Sequence, residues 1–93
     1  MTFIKLGVYG VTMNATEAAA RIDSLIADAR HLENINPEFH QAALDLDEAA
    51  SLLETGDTAG ALELLKACAE ATILTAKRGL FISAAAAVEL VDA

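Results

Sequence analysis

The turn at Gly56-Asp57 constrains this 93-residue chain more than any other feature. Upstream of it, Phe39, Ala43, Leu46, Ala50 and Leu53 recur at helical spacing, and Ala42 and Ala49 widen the stripe. Downstream, Ala61, Leu62, Leu65, Cys68, Ala69, Thr72, Ile73 and Ala76 repeat the pattern. Glycine suits the position just past a helix, and aspartate caps the next one. So short a connection folds the two helices back on each other as an antiparallel hairpin. The spacing predicts helix over 36–55 and over 57–78. Asn36 is the expected cap of the first, with Pro37 at its first helical position.

Another helix is predicted over 14–34. Asn14 followed by Glu17 has the form of a capping box, and Ile22, Leu25, Ile26, Ala29 and Leu32 then keep helical spacing. Arg21, Asp23, Asp28 and Arg30 take the outer face, and the stop falls at Asn34-Ile35-Asn36-Pro37. At the other end, Lys77 and Arg78 suit the negative end of the 57–78 helix, and Gly79 reads as a stop or kink. Leu80 to Val91 is apolar on nearly every side, which places it centrally or in an oligomer interface. It forms a fourth helix over 80–92 or continues the third, and Ala84 to Ala87 would let a neighbouring backbone come close.

Residues 1–13 are different. Two glycines, β-branched and aromatic residues, and an alternation that puts Ile4, Leu6 and Val8 on one side predict a strand or extended arm. A lone strand leaves its backbone groups unpaired. It needs a copy of itself, a partner protein or the weaker candidate strand Leu80–Ser83, unless it lies on the helices. Pairing between subunits is the expected arrangement. The predicted fold is therefore a single, mainly α domain over 1–93: a small antiparallel bundle of three to four helices with this N-terminal strand or arm.

The stretch Ala49 to Ala69, with LLETGDTAGALELL at its centre, resembles one helical hairpin of the tetratricopeptide type. The bulky aromatics of that family's pattern are missing and there is one copy only, so no solenoid and no function follow from it.

A chain of this length holds one core, and its margin of stability is thin. Alanine is abundant and the aromatics are Phe3, Tyr9, Phe39 and Phe81, which leaves the core short of hydrophobic area. Dimerisation is one remedy. The formal charge of −8 argues against non-specific affinity for nucleic acid or an anionic membrane. Lys5, Arg21, Arg30, Lys66, Lys77 and Arg78 are too few and scattered to make a basic stripe. Cys68 is the single cysteine, so no internal disulfide forms, which suits a reducing compartment. No stretch reads as a targeting signal, and Gly79 to Val91 is shorter than the roughly 20 residues a membrane span needs. A cytoplasmic setting is expected.

The most informative pattern is a block of acids. From His31 to Leu65 there is no Lys or Arg, while Glu33, Glu38, Asp45, Asp47, Glu48, Glu54, Asp57 and Glu63 all fall inside it. Such a block is either a solvated face or a surface for a basic partner, because rows of carboxylates can be steered into a phosphate-binding groove. The expected partner-binding residues are Glu38, Asp45, Asp47, Glu48, Glu54, Asp57 and Glu63. Those expected in self-association are Ile4, Leu6, Val8 and Phe81.

Other chemistry has less to stand on. His31 lies three residues after Asp28, and His40 two after Glu38, but a di-metal bundle repeats its Glu-x-x-His on facing helices. Cys68 sits on an apolar stripe, where burial raises a thiol's pKa rather than activating it. Ser24 and Ser83 have no flanking motif, and Gly7 and Gly10 do not complete a phosphate loop. The leading expectation is a non-enzymatic, cofactor-free protein-binding module with a basic protein partner. Its sharper form is an inhibitor of a nucleic-acid-binding protein, by analogy of class with small acidic phage-encoded inhibitors such as anti-CRISPR proteins. The alternatives are a homo-oligomeric adaptor and a small metal binder using His31 and His40.

Overall fold

Asn14 opens the first helix as its spacing from Glu17 requires. Its Oδ1 accepts the Glu17 amide at 2.8 Å, and Glu17 Oε1 accepts the Asn14 amide at 3.0 Å. The computed structural model describes residues 13–91, in which the helices are α1 (Ala15–Glu33), α2 (Glu38–Glu54), α3 (Thr58–Ala71) and α4 (Thr75–Glu89). The expected helical bundle is therefore present, with four helices. Asn36 performs its capping chemistry, its Oδ1 accepting the Glu38 amide at 3.0 Å, while Pro37 occupies the position just before the first turn of α2.

The α2–α3 turn closes as the Gly-Asp pair predicts. Gly56 has φ +92, the left-handed conformation that costs glycine least. The Gly56 amide donates to Leu53 and the Asp57 amide to Leu52, the pair of bonds that defines a Schellman stop. Asp57 Oδ1 then accepts the Gly60 amide at 2.8 Å and caps α3.

The third and fourth helices correct the predicted boundaries. α3 ends at Ala71, well before Arg78, because the Thr72 backbone turns extended and its Oγ1 donates to the Cys68 carbonyl at 2.7 Å. A β-branched residue bonding back to the preceding turn competes with the helix. α4 is a separate helix that starts at Thr75, and Gly79 lies inside it rather than breaking it. Leu80, Phe81 and Ala84 are buried in the turns around Gly79, and packing of that kind outweighs one glycine's weak propensity. Lys77 and Arg78 consequently occupy the first turn of α4. Arg78 still serves the end of α3, since its Nε donates to the Ala69 carbonyl at 3.2 Å.

α1 packs on α2 and α4, and α3 packs on the same two helices, so the four make a ring around one core. The largest fully buried side chains are Ile22, Leu46, Leu53, Leu65, Phe81 and Val88. Each contributes about 1.5–3 kcal/mol by burial, while the alanines between them let the helices approach. All seven residues assigned to the inner stripe of α2 are buried. On α1, Ile22 and Ala29 are buried and Leu25, Ile26 and Leu32 half-buried, with Ala18 and Ala19 joining the core ahead of them.

Other expectations fail. Ile73, placed inward on a continuous helix, lies in the α3–α4 junction and is 95% exposed. Ala76, also placed inward, is exposed. Phe81 is 1% exposed, so it belongs to the core and not to a self-association surface. Leu80–Ser83 is helical and cannot serve as a strand partner. The predicted strand itself, with Ile4, Leu6 and Val8, lies outside the described residues. At its edge, the Met13 amide donates to the Leu90 carbonyl at 2.8 Å, and Met13 forms an isolated parallel bridge with Val91. Among the described residues there is no strand, and no helix is long and apolar enough to cross a membrane.

Candidate functional site: the acidic face of α2

Burial of Phe39, Ala42, Ala43, Leu46, Ala49, Ala50 and Leu53 fixes the rotation of α2 and turns Leu44, Asp47, Glu48, Ser51 and Glu54 to solvent. Leu44 is 42% exposed, and Asp47 and Glu48 follow it by three and four residues on the same face. Among the described residues, no Lys, Arg or His forms an ion pair with Asp47, Glu48 or Glu54; the pairs present are Arg30–Glu33, His40–Glu33, Lys66–Glu89 and Lys77–Glu38. The result is an exposed leucine one turn before Asp47 and Glu48, with Glu54 further along the helix and none of the three carboxylates in an ion pair among the described residues.

The remaining acids of the expected partner-binding set point elsewhere. Glu38 Oε1 faces the Lys77 ammonium at 4.0 Å across the α2–α4 contact. Asp57 is occupied as the cap of α3. Glu63 lies on the outer side of α3, where it lines a shallow hollow with Ala59, Leu62 and Lys66. Asp45 is half-buried: it accepts from Gln41 Nε2 at 3.0 Å and its carboxylate stands beside Cys68 of α3. The structure therefore leaves Asp47, Glu48 and Glu54 exposed on the free side of α2, engages Glu38, Asp45 and Asp57 elsewhere, and leaves Glu63 exposed on α3.

Cys68 has little nucleophilic character. Burial first, then the negative charges of Asp45 and Glu48, push its thiol from 9.0 up to about 11, with Lys77 opposing weakly. It stays protonated at neutral pH, as its place on an apolar stripe implied. His31 is exposed, and His40 Nδ1 lies 3.2 Å from Glu33 Oε2. Among the described residues, no three His, Cys, Asp or Glu side chains gather as a metal would require.

Two further surface features remain, the first missed in the sequence and the second anticipated there as a candidate oligomer interface. A hollow of about 390 Å³ opens at the α3–α4 junction, lined by Glu38, Ala71, Thr72, Ile73, Leu74 and Lys77. Its signal was only the β-branched Thr72-Ile73 pair in a helical pattern. The second is the outer face of α4, where Gly79, Ile82, Ser83 and Ala86 are exposed. Ile82 and Ala86, with Ala69 and Ala85, line a groove of about 300 Å³ against α3, rimmed by Lys66 and Glu89. The run from Gly79 to Val88 without a charge was the visible sign of it.

No family model, curated protein or solved structure matches the chain.

Proposed function

We propose that this protein is a non-enzymatic binding module whose α2 face engages a basic protein partner. One observation carries the reading: Asp47, Glu48 and Glu54 are exposed on α2, the first two one turn after an exposed Leu44, with no cation paired to them among the described residues. Uncompensated carboxylates raise the rate of encounter with a positive surface, and the leucine adds apolar contact once docked. In its sharper form the module is an inhibitor, its carboxylates competing with phosphates for a nucleic-acid-binding groove. A thiol held protonated, with no second cysteine to pair with, suits a reducing cytoplasmic setting.

The test is capture of partners from a lysate of the source organism by wild type and by an Asp47→Lys/Glu48→Lys/Glu54→Lys variant, at low and high salt. Each exposed substitution is expected to change stability by less than about 0.5 kcal/mol, so the variant should stay folded. A basic protein held by wild type alone, and released by salt, supports the reading. If that protein also loses its nucleic acid on binding, the inhibitor form stands. The same proteins on both baits, or none on either, would remove the basis for a functional acidic face.

The outer face of α4 favours a second reading, self-association. Gly79, Ser83 and Ala86 permit close helix approach, and the exposed Ile82 supplies apolar area. The measurement is mass in solution over a range of concentrations, with Ile82→Lys as the control. A dimer that Ile82→Lys converts to monomer supports it; a monomer throughout ends it.

A further inference from the structure

We draw no further inference here: the strongest candidate, the hollow at the α3–α4 junction between Ile73 and Lys77 of the first turn of α4, carries nothing, because the Lys77 ammonium already faces Glu38 and no feature of the structure shows what would fill the space.

Discussion

Asn14 and Glu17 satisfy two backbone amides that α1 would otherwise leave without partners. Removing the cap by Asn14→Ala is expected to cost about 1 kcal/mol. For a domain of this size that lowers Tm by about 4–8 °C, readable by circular dichroism during heating. At the other extreme of polarity, the Cys68 thiol gives the stability a pH signature. The folded thiol holds its proton up to about 11, whereas the unfolded one releases it at 9.0. Its contribution is therefore fully present below pH 9 and declines as pH rises from there towards 11. Asp45→Asn removes one of the charges that hold the thiol up, so its pKa should fall. Iodoacetamide alkylation followed across pH is expected to show a lower midpoint in Asp45→Asn than in wild type. An unchanged profile would mean that the Asp45 charge does not hold the thiol up.

Where an element ends in this chain depends on which signal is local and which is tertiary. The starts of α1 and α3 and the end of α2 were legible because they rest on side chains next to the break: Asn14 with Glu17, and Gly56 with Asp57. The break after α3 was not, since Thr72, Ile73 and Leu74 include neither glycine nor proline and the apolar pattern runs on through them. Gly79 misled for the opposite reason, its local preference being overridden by buried neighbours that no window of sequence displays. Its position yields a direct prediction. A Cβ built at Gly79 meets nothing within 4 Å, so Gly79→Ala should stabilise α4. The expected gain is about 0.5–1 kcal/mol, seen as a rise in Tm of several degrees. A fall would place that face in close contact with another molecule, as the self-association reading requires.

Over the whole molecule, the acidic block was legible as a number of charges but not as a direction. Asp45 and Glu48 lie on one side of α2, yet the first is half-buried against α3 and the second is exposed. Only the rotation set by Leu46, Leu53 and the alanines separates them. Likewise, Glu38 and Lys77 are far apart in sequence and face each other only because two junctions lie at the same end of the bundle.

The other end holds a feature with a different bearing. Met13 and Val91 stand side by side as an isolated bridge, held by the hydrogen bond from the Met13 amide to the Leu90 carbonyl. The four helices thus trace almost a closed circuit, whose first and last described residues sit at one spot on the surface. A few linking residues between Met13 and Val91, in place of residues 1–12 and 92–93, would complete the circuit, and a cut in the turn at Asn34–Pro37 or at Thr55–Asp57 would reopen it with every helix whole. Residues 13–91, laid out in this way, are expected to tolerate circular permutation and to fit as an insert within a surface loop of another protein without prising that host apart.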